Sequence, residues 1–415
     1  MTFKAKMNIE ELENELKDSS KKSKKLNVDN AYRITEKLAF PRLVGSEGEK
    51  KAIEIITDEF KKAGYNSIYQ ENFKTSLYIW TVLRYGFFPI GICLILLGLT
   101  FFINPWLTMG IIIINIYLCI KMLGLASSSE TKLSKNEFRN FTTENIFTTL
   151  KSKNSKVKVV FIGHWDSKSQ TFPSSLRMIL FMVALFGFII IILFYLILSV
   201  IQLLFPFNNL ILKNIMLYSC IAIALISNLN YFNKTGNESP GAYDNAGAVG
   251  VIIELARYFK INPVDNMDFV FLCPSSEELN LAGAKHFIQK HKEEFDKKSI
   301  YFINLDPIGG KDLVKLVSSY GIPRRLSSKK LKDLFLNSAD KLNIKIEDIY
   351  LPTGAWSDYM PIVQEGFEAC WLGSQPGLKY VHTRKDNMDL VSKQGLRNIL
   401  LLCENVVNVL NNEYE

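Results

Sequence analysis

Histidine is scarce in this 415-residue chain, with four residues in all, and cysteine is sparse, with six. Cys93, Cys119, Cys220, Cys273, Cys370 and Cys403 include no pair at the close spacing of a thiolate metal site. That excludes a cysteine-rich zinc module and leaves small, buried, reduced thiols as the reading. The net charge of +8, from 49 Lys and Arg against 41 Asp and Glu, is mild and dispersed. No basic run with interleaved aromatics is present, which excludes nucleic acid as a partner. The first 27 residues are charged, with the run Lys21-Lys22-Ser23-Lys24-Lys25, and lack the apolar core of a secretory signal. Residues 9–26 read as a short solvated helix or a tail.

What is abundant is apolar sequence, gathered in two blocks, Leu77 to Ala126 and Leu176 to Phe232. The first divides at Asn104-Pro105 into uncharged runs Phe87–Ile103 and Trp106–Ile120. The second runs from Met178 to Phe205, turns at Pro206-Phe207-Asn208-Asn209, and returns from Leu210 to Leu229 with Lys213 as its one charge. Each run approaches the ~20 residues needed to cross a bilayer, so four spans in two hairpins are expected. No acidic residue lies inside them, which argues against a transport pathway. Two even hairpins leave every polar segment on one face. Arg84, Lys121, Lys132, Lys135, Lys168, Arg177 and Lys234 flank the spans there, while the tips carry only Lys213. The positive-inside rule then predicts an integral protein of the cell membrane with its polar part in the cytoplasm.

The polar segments read as alternating strands and helices. Ile53, Ile56, Phe60 and Ala63 recur at helical spacing before Gly64, and Ser67–Ser76 follows as a strand. Further strands are expected at Lys156–Ile162, Asp268–Cys273, Ile300–Leu305 and Glu368–Leu372. Three of these run directly into polar residues: Gly163-His164, Pro274-Ser275-Ser276-Glu277-Glu278, and Asp306. In open α/β sheets, ligands bind at the carboxyl ends of strands. Asp244 lies in the turn Ser239-Pro240-Gly241-Ala242-Tyr243-Asp244-Asn245-Ala246-Gly247, ahead of an apolar helix at Val249–Leu255.

Each candidate has an ordinary alternative. Asp244 fits a helix N-cap, His164 a structural strand end, Glu277-Glu278 the start of a solvated helix, and Asp306 a turn cap. His286 and His291 read as surface residues. Taken together, two histidines, a turn aspartate, adjacent glutamates and a strand-end aspartate are the donors that two zinc ions need.

The pieces also resemble the co-catalytic dizinc aminopeptidases of peptidase family M28. They are Gly163-His164-Trp165-Asp166-Ser167, Gly241-Ala242-Tyr243-Asp244-Asn245-Ala246-Gly247, Ser276-Glu277-Glu278 with Ala282-Gly283-Ala284, Asn304-Leu305-Asp306, Ser357-Asp358-Tyr359-Met360-Pro361, and His382-Thr383-x-x-Asp386. Arg42-Leu43-Val44-Gly45-Ser46-Glu47 is similar to the family's opening. The resemblance implies an α/β fold, a mixed central sheet flanked by helices, to which four transmembrane helices in two hairpins are added here. It implies a zinc-dependent aminopeptidase with two zinc ions per chain, acting on peptides with a free N-terminus. Asp244 would bridge the metals, with His164 and Asp306 on one and Glu278 and His382 on the other. Glu277 would be the general base, and Asp166 would orient His164. Family members often carry Tyr before the last His to support the oxyanion, where this chain has Val381; the resemblance leaves the oxyanion donor open between Tyr380, Tyr359 and neither.

The expected organisation is a charged tail (1–29), a peptidase domain in three parts (30–78, 127–175 and 233–415), and hairpins at 79–126 and 176–232 that meet the bilayer. The second hairpin falls between His164 and Asp244, so the mouth of the site is expected near the membrane surface. Two other functions remain open: a glutaminyl cyclase-like acyltransferase working with one zinc, and a non-catalytic, membrane-anchored binding protein.

Overall fold

The computed structural model describes residues 24–126, 140–311, 313–352, 357–375 and 379–414. The expected N-terminal tail up to residue 23, and Lys132 and Lys135, lie outside them. The chain begins with α1 (Val28–Leu38) and α2 (Glu47–Lys62), then β1 (Ile68–Ser76). Two long helices follow, α3 (Tyr78–Ile103) and α4 (Pro105–Ala126), before β2 (Asn140–Leu150), β3 (Val157–Ile162) and the short β4 (Ser169–Gln170). A second long pair, α5 (Ser174–Leu204) and α6 (Leu210–Asn228), leads to β5 (Thr235–Gly236) and α7 (Gly247–Ile261). Then come β6 (Met267–Cys273), α8 (Ala282–His291), β7 (Ile300–Leu305), β8 (Val314–Tyr320) and β9 (Arg325–Leu326). The chain closes with α9 (Lys329–Leu342), β10 (Ile346–Leu351), α10 (Tyr359–Gln364), β11 (Glu368–Ser374) and α11 (Lys393–Asn412).

One mixed sheet organises the polar part, in the order β1-β2-β6-β3-β7-β11-β8-β10, with β9 on β8. Its centre, β6-β3-β7-β11, is parallel; β1 and β2 join antiparallel on one side, and on the other β8 lies antiparallel to β11 and parallel to β10. The four parallel strands therefore end at the same edge. They are buried on both faces, as their near-continuous apolar sequence requires. On one face, helices α1, α2, α7, α9 and α11 seal a core containing Phe161, Phe259, Phe269 and Phe271. On the other, α8 and α10 cover Val160, Ile162, Phe287 and Phe302.

The expected strands are all present, and β2, β8 and β10 extend the sheet beyond them. The long helices exceed the uncharged runs at their polar ends: α3 starts at Tyr78 and α5 at Ser174, because both helices continue through Arg84 and Arg177 toward the sheet. By length and composition all four long helices suffice to cross a membrane. They bury Leu94, Leu97, Phe101, Ile192, Tyr195 and Cys220 between them and expose Phe88, Ile113, Phe194 and Leu225 outward. Lys213 does not sit at an exposed tip. It is buried within the bundle, its ammonium about 6 Å from the rings of Phe101 and Phe102. His286 and His291 are packed rather than superficial: His286 stacks on Phe73, and His291 Nε2 is 2.8 Å from Glu71.

Helix α7 is buried almost all round and lies against α1 so closely that a Cβ on Gly250 would stand 2.4 Å from the carbonyl oxygen of Ala31. Backbone cannot yield there as a side chain would. Gly250→Ala is expected to cost about 1–3 kcal/mol, read as a lower midpoint of thermal unfolding. Gly110→Ala, where a Cβ meets nothing within 4 Å, should leave the midpoint near the wild-type value.

Candidate metal centre

The aligned ends of the parallel strands bring the sequence-predicted residues together. His164 follows β3, Glu277 and Glu278 follow β6, Asp306 follows β7, and His382 lies in the loop after β11. Asp244 comes from the turn before α7. It caps nothing: α7 begins after Ala246 without a side-chain cap, and Asp244 itself has extended backbone angles. The turn is pinned instead by its neighbours. Asn245 Nδ2 donates to the carbonyl of Leu305 (2.8 Å), and the Tyr243 amide donates to Asp386 Oδ1 (2.8 Å). Gly241 has a left-handed φ of 57°, and a Cβ there would fall 2.6 Å from that of Ser167.

Two groups of donors result, each with its ligand atoms within 4.8 Å of one another: His164, Asp244 and Asp306, and Asp244, Glu278 and His382. Asp244 belongs to both. Its Oδ1 is 3.2 Å from His164 Nε2, and its Oδ2 is 3.2 Å from His382 Nε2. His164 Nε2 is also 3.6 Å from Asp306 Oδ1, and His382 Nε2 is 3.0 Å from Glu278 Oε2. Imidazole nitrogens and carboxylate oxygens converging in this way fit zinc. Two buried atoms of the set, His164 Nε2 and Glu278 Oε1, have no hydrogen-bond partner among the described residues, as ligand atoms aimed at a cation would.

Glu277 and Asp166 belong to neither group. Glu277 Oε2 stands 4.0 Å from His164 Nε2. Asp166 lies behind His164, 3.5 Å from Nδ1, and its two oxygens accept the backbone amides of Glu277 (3.2 Å) and Glu278 (3.3 Å). One carboxylate thus holds the β3 end to the β6 end. Ser357 Oγ donates to Asp306 Oδ2 (2.5 Å) and accepts from Asn304 Nδ2 (2.5 Å).

The electrostatics divide the acids. Burial raises the pKa of Asp244 and Glu278, but His164 and His382 outweigh it at Asp244, while His382 and Lys168 bring Glu278 down to about 2. Burial raises the Glu277 carboxyl as well, and there nothing is sufficient to offset it: Glu278, Asp306 and Asp358 add to the rise, and His164 only reduces it. Burial pulls the His164 pKa down, yet the nearby carboxylates of Asp166, Asp244 and Asp306 carry it well above the ordinary value.

Four residues at the site escaped the sequence reading. Arg42 is fully buried and donates to the carbonyls of Trp165, Leu38 (2.8 Å), Phe40 (3.2 Å), Pro240 (2.6 Å) and Gly241 (2.7 Å). Burial lowers its pKa to about 10, opposed by Asp386 and Asp166, so it remains charged at neutral pH. Lys168, counted above as a membrane flank, is buried with its ammonium 2.7 Å from Glu278 Oε2 and 4.1 Å from the Trp80 ring centre. Trp80 Nε1 donates to the Glu278 carbonyl (2.7 Å), and Arg177 Nη2 donates to His382 Nδ1 (2.6 Å). Position in sequence signalled only Arg42, through its place in the opening motif. Of the two tyrosines, Tyr359 stacks on Trp371, and the Tyr380 ring has Lys379 and Lys385 near its face.

Residues 229–407 match the model of peptidase family M28. Aminopeptidase YwaD of Bacillus subtilis (strain 168) is 27% identical over 177 residues, 38% of this chain and 35% of that protein. The match thus spans about a third of that relative's length. Among solved structures, the aminopeptidase from Aneurinibacillus sp. strain AM-1 superposes with a TM-score of 0.56 at 15% identity, covering 93% of this chain and 94% of its own. A glutaminyl cyclase from an Acidobacteriales bacterium does so with a TM-score of 0.54 at 15% identity, covering 94% and 96%. At those identities the structural likeness concerns the fold.

Arg42→Lys keeps the charge and loses the fork that reaches five carbonyls. It is expected to cost on the order of 3–5 kcal/mol, checked by the unfolding midpoint of the detergent-purified protein.

Proposed function

We propose that this chain, whose residues 229–407 belong to peptidase family M28, is a membrane-anchored, zinc-dependent aminopeptidase with Glu277 as its general base. The observation that carries the reading is the pair of three-donor groups sharing Asp244, with Glu277 beside them and in neither. His164 and Asp306 would hold one zinc, Glu278 and His382 the other, and Asp244 would serve both.

Zinc supplies Lewis-acid chemistry there, polarising the scissile carbonyl and making water a stronger acid. The chain's own residues do the rest. Glu277 takes the proton of the attacking water and delivers it to the departing amine nitrogen. Its burial among acids disfavours the bare carboxylate, so the proton is held readily between the two transfers. Asp166 fixes both His164 and the Glu277 backbone, and so sets the distance between base and ligands. The acidic surroundings favour a substrate with a free α-ammonium group, which restricts cleavage to the N-terminal residue.

The four apolar helices anchor the enzyme as two hairpins (79–126 and 176–232), with the polar segments forming one domain. Arg84, Lys121 and Lys234 beside the spans support a cytoplasmic orientation in the cell membrane. A glutaminyl cyclase-like reaction would need one zinc. Both donor groups being complete favours hydrolysis.

The test is Glu277→Ala in the detergent-purified protein, with zinc content and hydrolysis of aminoacyl chromogenic substrates measured together. About two zinc ions per chain should remain while kcat falls about 100- to 10,000-fold. Loss of zinc in the variant would make Glu277 a ligand. One zinc in the wild type, with cyclisation of N-terminal Gln, would replace the reaction altogether.

A further inference from the structure

Resting on that reading, we propose that the substrates are membrane-tethered peptides whose free N-terminus stands only a few residues off the bilayer surface. The inference comes from where the metal centre meets the long helices. Glu278 and His382 are each one hydrogen bond from the first turn of such a helix. Trp80, on α3, donates to the Glu278 carbonyl (2.7 Å). Arg177, on α5, donates to His382 Nδ1 (2.6 Å), and Ser174 of the same turn donates from Oγ to the Val381 carbonyl (3.2 Å). The loop leading into α5 adds a further tie, from the Gln170 amide to the His382 carbonyl (2.9 Å).

The same turns mark the edge of the hydrocarbon. Arg177 is the last charged residue before the uncharged run Met178–Leu204, and Arg84 the last before Tyr85–Ile103. Arg84 donates from Nε to the Tyr231 carbonyl (2.6 Å), and its guanidinium lies 4.8 Å from the Tyr231 ring centre. Tyr85 and Tyr231 meet edge to face at 5.6 Å. Tyrosines and arginines so placed form the belt found at lipid headgroups.

The most exposed residue of the site adjoins the long helices. Among the six clustered side chains, His382 (15% exposed) and Glu277 (10%) are the most open, and His382 is the one that α5 flanks. From Trp80 to Tyr85 a helix rises about 7.5 Å. Allowing for the reach of the Trp80 side chain, Glu278 lies on the order of 10–15 Å from the hydrocarbon. An extended peptide covers that distance in about three to five residues at ~3.3 Å each. A tethered N-terminus also reaches the site at the effective concentration of an intramolecular encounter, millimolar for short tethers.

The experiment uses the full chain reconstituted in phosphatidylcholine vesicles. Peptides with an N-terminal Leu, a Gly-Ser spacer of 2, 4, 6 or 12 residues and a C-terminal dipalmitoyl anchor are compared with the same peptides lacking the anchor. A leucine chromogenic substrate is run alongside. The expected result is release of Leu from the anchored 4- and 6-residue peptides at least tenfold faster than from their free counterparts, with little release at 2. Equal rates for anchored and free peptides would overturn the inference, as would anchored cleavage that begins only at 12, because the site would then face away from the bilayer. If the chromogenic substrate is hydrolysed while either of those results appears, the aminopeptidase reading survives and only the tethered substrate falls. If it is not hydrolysed, the aminopeptidase reading fails and takes this inference with it.

Discussion

Everything at the candidate site depends on one buried cation. Arg42 holds, through a single planar fork, the backbone after β3, the turn that carries Asp244, and the end of α1. Those segments supply His164, Asp166 and Asp244, and nothing in their own local preferences would bring them together. Carbonyl oxygens leaving a strand end and a tight turn are normally satisfied by water. Here they are buried, and a guanidinium with five donors in fixed directions can serve several of them at once. The charge has a second effect, since it lies within a crowd of carboxylates that would otherwise repel one another. Arg42 is therefore both a geometric clamp and part of the neutralisation that lets so many acids share one site.

How much of this was legible in the sequence follows from the range of the interactions. Strands β3, β6 and β7 could be read because each is a short, continuous apolar run that ends abruptly in polar residues, the signature of a strand buried on both faces. Strand β2 is rich in Thr and Asn, and β10 is short and half-exposed with acidic residues inside, so neither shows a clean period. The donor residues of the site stood out because histidine is rare and because acids sit at strand ends. Arg42, Lys168 and Arg177 did not, for a physical reason. Arg42 serves backbone carbonyls that any residue type would provide. Lys168 and Arg177 find their partners 110 and 205 residues away. Position next to a span made both look like membrane flanks, and only the folded chain shows that their side chains turn inward to the site.

That inward turn alters what the hairpins are. A simple anchor would join the domain through linkers and leave its chemistry untouched. These helices begin inside the domain, with Trp80 and Arg177 contacting the two residues, Glu278 and His382, that share a donor group with Asp244. The apolar bundle and the polar sheet thus share a boundary at the site itself.

The order of segments along the chain has a consequence for biogenesis. Strand β1 precedes the first hairpin and pairs with β2, which follows it; β3 precedes the second hairpin and lies between β6 and β7, which follow it. His164 is synthesised before the second hairpin, and the other donor residues after it. The centre of the sheet cannot close until residues beyond 300 have left the ribosome, long after both hairpins have been made. A nascent chain therefore carries no assembled site while the long helices are emerging, and the topology itself sets the order in which the site can form.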